Sequence, residues 1–193
     1  MIKPKVRIIA HTHIDAAWLW PWRETVEVCR ESFENFLKLM EKYPSLKFVQ
    51  SSAHYYKWIE ERYPELFGKI KEKIREGKWE PVVPWVEFDA NMPSGESLIR
   101  QILYSKRYFK EKFGVDVNVL WLPDTFGFNI MLPQIASSAD IKYFLTQKLR
   151  WNNMVKFPYN FFWWRSPDGS NILVHQTFGD YVGTIKDKDV EEN

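Results

Sequence analysis

An α/β fold built on a mostly parallel sheet is predicted by three features of this 193-residue sequence. Short apolar runs alternate with longer stretches of helical periodicity. Unusual polar residues follow directly on four of the apolar runs. Near the end, the turn Ser166-Pro167-Asp168-Gly169-Ser170 separates two further strand-like runs.

The elements follow in order. Residues 6–10 read as a buried strand. Residues 24–42 read as a helix with Val26, Cys29, Phe33, Phe36, Leu37 and Met40 on one side, stopped by Tyr43-Pro44. Residues 47–50 form a second short strand. Residues 53–77 are helical but broken at Pro64, whose missing N–H suits the first turn of a new helix, and Gly77 is its C-terminal cap. A third strand, interrupted by prolines, covers 79–86. Ser94 caps a helix that runs to Phe113 with Ile99, Ile102, Leu103 and Phe109 inward, and Gly114 ends it. A fourth strand covers 117–122, a short helix 132–138 and a fifth strand 143–146. Residues 161–164 and 172–175 form a hairpin around the Asp-Gly turn.

Such alternation leaves two architectures open, a barrel and an open doubly wound sheet. Both place their sites at the C-terminal ends of the strands. The polar residues obey that rule. His11, His13 and Asp15 follow the first strand, and Gln50, Ser51 and Ser52 end the second. Glu87, Asp89 and Asn91 follow the third, and Asp124 and Thr125 the fourth. A plain structural domain has no reason to collect them there. A complete (β/α) barrel takes roughly 250 residues, so part of the domain is expected to lie outside this chain. Residues 1–185 are assigned to the N-terminal part of such a (β/α) domain and 186–193 to a charged, aperiodic tail.

Composition narrows the function classes. Hydrophobic residues at 45% and charged residues at 27% fit a soluble globular protein rather than a disordered one. Basic residues are interleaved with acidic ones, as in Lys69-Ile70-Lys71-Glu72-Lys73, so no block exists to neutralise phosphates and nucleic acid is excluded as a partner. The N-terminal apolar run is too short for a signal peptide, and no stretch approaches the roughly 20 apolar residues of a membrane span. A cytoplasmic location without membrane contact is expected. Cys29 is the only cysteine, which rules out an intrachain disulfide and a cysteine-rich zinc site. Aromatic residues make up 17%. They point either to a large aromatic core or to a site lined with flat rings, which stack on the CH faces of sugars.

The segment Ala10-His11-Thr12-His13-Ile14-Asp15-Ala16-Ala17-Trp18 carries the first candidate chemistry. Residues two apart on an extended loop point the same way, so His13 and Asp15 can aim a nitrogen and a carboxylate oxygen at one point. That pair suits zinc or a similar divalent ion. The competing reading is a polar loop capping the next helix. His11 lies nearer the strand and takes a buried, supporting role. In Trp121-Leu122-Pro123-Asp124-Thr125-Phe126-Gly127, Asp124 either caps a turn or stands at the sheet edge as a metal-binding, reactive carboxylate.

These two segments resemble the signature stretches of glycoside hydrolase family 38. Between them, Trp85-Val86-Glu87-Phe88-Asp89-Ala90-Asn91-Met92-Pro93-Ser94-Gly95-Glu96-Ser97 and Arg100-Gln101 are similar to the bacterial, archaeal and cytosolic branch of that family. Trp151-Asn152, Phe157-Pro158 and Trp163-Trp164 match the same branch. The resemblance runs over almost the whole chain and implies the N-terminal catalytic region of a retaining α-mannosidase. It also implies a distorted seven-stranded (β/α) barrel.

The resemblance further implies residue roles. His13, Asp15 and Asp124 are the expected ligands of a zinc ion, with cobalt or another divalent ion able to replace it. Asp124 is also the expected nucleophile. Trp18 is the expected floor beneath the mannose ring, or else a core tryptophan. Asp89 either bonds sugar hydroxyls or stabilises its loop. Tyr181 is a further substrate-pocket candidate, and Arg100 is expected to brace carboxylates. The family's acid/base Asp and last zinc-ligating His are not found here, and His175, in the hairpin, is not assigned as that ligand. Expected partners are a carbohydrate with α-mannosyl residues and either the remaining catalytic segment or a second copy of the chain. Two other functions stay in view: a metal-dependent carbohydrate deacetylase and a non-catalytic sugar-binding fragment.

Overall fold

The computed structural model describes residues 9–177. The chain divides into two compact units, Met1–Gln50 with Tyr55–Pro81, and Ser51–His54 with Val82–Asn193. Both are mixed α/β with parallel pairing dominant. Among the described residues no helix is long and apolar enough to cross a membrane.

The first unit holds a parallel sheet of order β1-β2-β3, with β1 at Ala10–His11, β2 at Phe48–Gln50 and β3 at Trp79–Pro81. Residues 6–8 of the expected first strand lie outside the described residues. Helix α1 spans Trp22–Lys42 and buries Val26, Cys29, Phe33, Leu37 and Met40, as its periodicity predicts. Phe36 is half-buried and stacks on Phe48 at 3.8 Å between ring centroids. Helix α2 (Ala53–Arg62) stops before Pro64, which opens α3 (Pro64–Arg75) at its first position. Gly77 then adopts a φ of 66°, a conformation glycine reaches without a Cβ penalty.

An aromatic cluster forms this unit's core. Trp79 meets Phe48 edge-on at 4.5 Å and Phe33 at 5.3 Å. The indole N–H of Trp79 donates to the Tyr56 hydroxyl at 2.9 Å, and that hydroxyl donates to the carbonyl of Gln50 at 3.0 Å. Part of the high aromatic content is therefore core. Replacing Trp79 with alanine is expected to cost about 3–5 kcal/mol of stability, from lost burial plus the cavity left behind. Urea unfolding measures it, and a cost under about 1 kcal/mol would show that the cluster is not central. Burial pushes the Cys29 thiol far above its usual range. Since the thiolate is the reactive form, Cys29 is expected to resist alkylation until the protein unfolds. Mass spectrometry after native-state alkylation checks this.

The second unit holds a four-stranded sheet of order β4-β5-β7-β6. Strands β4 (Val119–Leu122), β5 (Tyr143–Thr146) and β7 (Asn171–Gln176) are parallel, and β6 (Phe161–Arg165) returns antiparallel to β7. The hairpin turn closes through Ser166 N–H to Ser170 O at 2.9 Å, with Gly169 at φ 91°. The Ser166 hydroxyl donates to Ile130 O at 2.8 Å and accepts from Gln134 N–H at 3.1 Å. It thereby ties the hairpin to α5 (Leu132–Ser138).

Helix α4 (Gly95–Phe113) is capped by Ser94, whose hydroxyl accepts from Ser97 N–H, and ends at Gly114 with φ 72°. Its buried face is Leu98, Ile102, Ser105, Tyr108 and Phe109. Ile99 and Leu103, expected inward, are each 45% exposed. The helix carries two adjacent apolar stripes, and only one faces the core. The other lines a groove of about 750 Å³ with Met131 and Ile135. The third strand ends at Pro81 instead of reaching Val86, because Pro81 and Pro84 have no N–H to give a ladder. Within the second unit, Val83 pairs with Leu120 in a single parallel bridge.

Candidate active site

In the first unit, the loop after β1 brings His13 and Asp15 together, with His13 Nε2 3.4 Å from Asp15 Oδ1. The loop is pinned by one buried and two part-buried hydrogen bonds. The Tyr55 hydroxyl donates to Ile14 O at 2.6 Å. The Thr25 hydroxyl donates to Asp15 O at 3.1 Å and accepts from the Trp20 indole N–H at 3.0 Å. Both anchors lie on helices, so the main chain on either side of the His-x-Asp pair is held by regular structure.

His11, expected in a buried, supporting role, is half-buried at the end of β1. Its Nδ1 stands 2.9 Å from Val49 O. Burial holds its pKa at about 4, assisted by the neighbouring His13 and opposed by the Val49 bond. His11 is therefore neutral at pH 7, with the Nδ1–H tautomer fixed by the carbonyl that accepts from it. Trp18 is not a core residue. It is 65% exposed, and its ring meets Trp20 edge-on at 5.3 Å.

In the second unit, Asp124 follows β4, where the sequence pattern places it. Its backbone N–H donates to Glu87 Oε1 at 2.6 Å, and the same oxygen accepts from the Thr125 hydroxyl at 3.1 Å. Thr125 also donates to Phe88 O at 2.9 Å. Burial pushes the Glu87 carboxyl up to about 7, against these hydrogen bonds. Gly127 closes the turn at φ 82°, and a Cβ there would lie 2.8 Å from the Asn91 side-chain nitrogen. The backbone conformation favours glycine, and a Cβ would have to push the Asn91 amide aside.

Sequence reasoning missed Lys148. It opens a one-turn 3-10 helix (Lys148–Arg150) just after β5. Its side chain is 1% exposed and its Nζ is 2.6 Å from Asp124 Oδ1. The ammonium lies over the rings of Trp151, at 3.7 Å from the centroid, and Phe126, at 4.8 Å. The signal was present: Gln147 and Lys148 follow the fifth strand as Asp124 follows the fourth.

Two other candidates have local roles. Asp89 Oδ1 accepts from Asn91 N–H at 2.7 Å and Met92 N–H at 2.8 Å. These bonds, Met92 first, hold its exposed carboxyl below the usual range. Arg100 pairs with Glu96 and donates to the Tyr104 hydroxyl on the exposed face of α4, rather than bracing a site carboxylate. Tyr181 lies outside the described residues.

Residues 3–193 match the model of the glycosyl hydrolases family 38 N-terminal domain. The chain belongs to this family. Alpha-mannosidase G of Dictyostelium discoideum is 47% identical over 172 residues, which is 89% of this chain and 16% of that protein. Alpha-mannosidase 2C1 of Homo sapiens is 45% identical over 179 residues, 92% of this chain and 17% of that protein. The crystal structure of an alpha-mannosidase from Enterococcus faecalis V583 superposes with a TM-score of 0.78 at 23% identity, covering 95% of this chain and 22% of that one. That likeness concerns the fold. This family 38 chain thus spans about a sixth of the length of the curated relatives it matches.

Proposed function

We propose that this chain is the N-terminal catalytic part of a retaining α-mannosidase, cleaving terminal α-linked mannose from a carbohydrate substrate in the cytoplasm. The observation that carries this reading is the family membership joined to the placement of Asp124. That carboxylate stands directly after β4, with its backbone held by Glu87 and its side chain by Lys148.

His13, Asp15 and Asp124 are proposed as ligands of one divalent ion, zinc or another such as cobalt. One imidazole nitrogen and two carboxylates form the donor set that zinc takes, and their charges balance a divalent cation. When bound, the metal would hold the 2- and 3-hydroxyls of the sugar and favour its flattened, positively charged transition state.

The chain's own residues supply the rest. An Asp124 oxygen attacks the anomeric carbon as the bond to the leaving oxygen breaks and that oxygen takes a proton. Water then attacks the glycosyl ester, freeing Asp124 and giving mannose with its configuration retained. Exposed Trp18 offers an apolar face for the ring. Substrate contacts from Asp89 and Tyr181 complete the proposed pocket. A retaining mechanism needs an acid/base carboxylate roughly 5–5.5 Å from the nucleophile. We place that acid, a further ligand and the remaining strands of a distorted seven-stranded barrel in the part of the relatives beyond the matched region. That remainder, or a second copy, would be the chain's partner.

The test is hydrolysis of an aryl α-mannoside by the full protein, with the product's anomeric configuration followed by NMR. Release of α-mannose first supports the reading. Release of the β anomer contradicts retention. Acetate release from an acetylated sugar, with no mannoside cleavage, would favour a deacetylase.

A further inference from the structure

Asp124 is anchored twice from different parts of the chain. Glu87 takes its backbone N–H at 2.6 Å, which fixes the main chain. That contact does not itself fix the carboxylate's rotation about its own bonds. A nucleophile must meet the anomeric carbon in line with the departing oxygen, and misplacement by about 1 Å can cost on the order of a hundredfold in rate. A second contact, to the carboxylate itself, is the one that sets its direction.

Lys148 makes that contact. Its Nζ lies 2.6 Å from Oδ1 of Asp124. The ammonium is itself held from the far side by the faces of Trp151 and Phe126. Taking an ammonium out of water is costly, and both the carboxylate and the ring faces offset that cost. A lysine sealed to 1% exposure against one oxygen has little room to release it.

We propose that Lys148 is a positioning residue for the nucleophile: it grips Oδ1, so that the carboxylate presents its other oxygen to the sugar. The inference rests on the reading of Asp124 as nucleophile and metal ligand. It has a second consequence. A positive charge on a carboxylate that also binds a divalent ion repels that ion and competes for the same group. Lys148 therefore lowers metal affinity while it aligns the nucleophile.

The experiment compares Lys148→Met and Lys148→Arg with the unaltered full protein, saturated with zinc, on an aryl α-mannoside. Lys148→Met is expected to lose about 10- to 100-fold in kcat while KM stays within about twofold, and Lys148→Arg recovers a large part of the loss. Zinc affinity, read by competition with a chromophoric chelator, is expected to tighten severalfold in Lys148→Met and to return toward normal in Lys148→Arg. A Lys148→Met protein with normal kcat overturns the proposal. So does an equal loss in both variants with unchanged zinc affinity, which is the mark of a pair that serves folding alone. If the unaltered protein cleaves no α-mannoside, the functional reading fails by itself. The positioning role then falls with it, and the zinc arm tests only the contact: tighter binding in Lys148→Met shows Lys148 competing with the metal for Asp124, and unchanged binding overturns that as well.

Discussion

Replacement of Asp124 by alanine is expected to lower α-mannoside turnover by on the order of a thousandfold or more, the scale on which enzymes lose a covalent nucleophile. The substitution removes the oxygen proposed to form the bond to the anomeric carbon. It also leaves Lys148 buried at 1% exposure without its carboxylate, so some loss of stability accompanies the loss of rate. A small anionic nucleophile separates the two effects. Azide can enter the space vacated by the carboxylate and attack the same carbon. The variant is then expected to form a mannosyl azide of inverted configuration. Recovery of turnover with azide assigns the chemistry to Asp124. A variant with native stability and near-normal turnover would remove Asp124 from the mechanism.

The second large effect concerns the metal. Asp15 stands 3.4 Å from His13 Nε2 on a loop pinned by Tyr55 and Thr25. Alanine at Asp15 removes a carboxylate proposed as a ligand while those anchors persist, since Thr25 bonds the Asp15 backbone oxygen and not its side chain. Zinc affinity is expected to fall by more than roughly a hundredfold, beyond the 10- to 100-fold typical of changes to residues that merely support a ligand. Activity should fall with it, and excess zinc should restore part of the activity by refilling the weakened site. For the unaltered protein, a strong chelator is expected to abolish activity and added zinc to return it. Metal content by elemental analysis, beside unfolding midpoints for both proteins, checks the prediction. Unchanged zinc content in Asp15→Ala would take Asp15 out of the ligand set.

Much of the fold was legible because its signals are local. Pro64 breaks the long helical stretch between α2 and α3, as its missing N–H requires. The fifth strand falls at Tyr143–Thr146, and the Asp-Gly turn forms the hairpin between β6 and β7. What was not legible depends on neighbours distant in sequence. Ile99 and Leu103 share a stripe with apolar spacing, yet which of two stripes on α4 meets the core is decided by packing, not by period.

The same division holds at the site. His13, Asp15 and Asp124 stand out because they follow apolar strand runs, where α/β folds place their sites. Lys148 did not stand out, because a lysine ordinarily reads as a solvated charge. Only the folded chain shows it buried against Asp124 and two rings. The role of Arg100 shows the reverse. It lies in a stretch similar to the family, but its partners are one turn away on its own helix.

The central claim is that sugar becomes covalently attached to Asp124. The most direct measurement is to trap that ester in the full protein. A fluorinated mannosyl donor with a good leaving group slows hydrolysis of the intermediate, and peptide mass spectrometry then locates the label. One fluoromannosyl group per active protein is expected, on the peptide carrying Trp121-Leu122-Pro123-Asp124. Fragmentation should place it at Asp124, with loss of activity in step with labelling. A label at any other carboxylate, or inactivation without covalent attachment, would take Asp124 out of the covalent step.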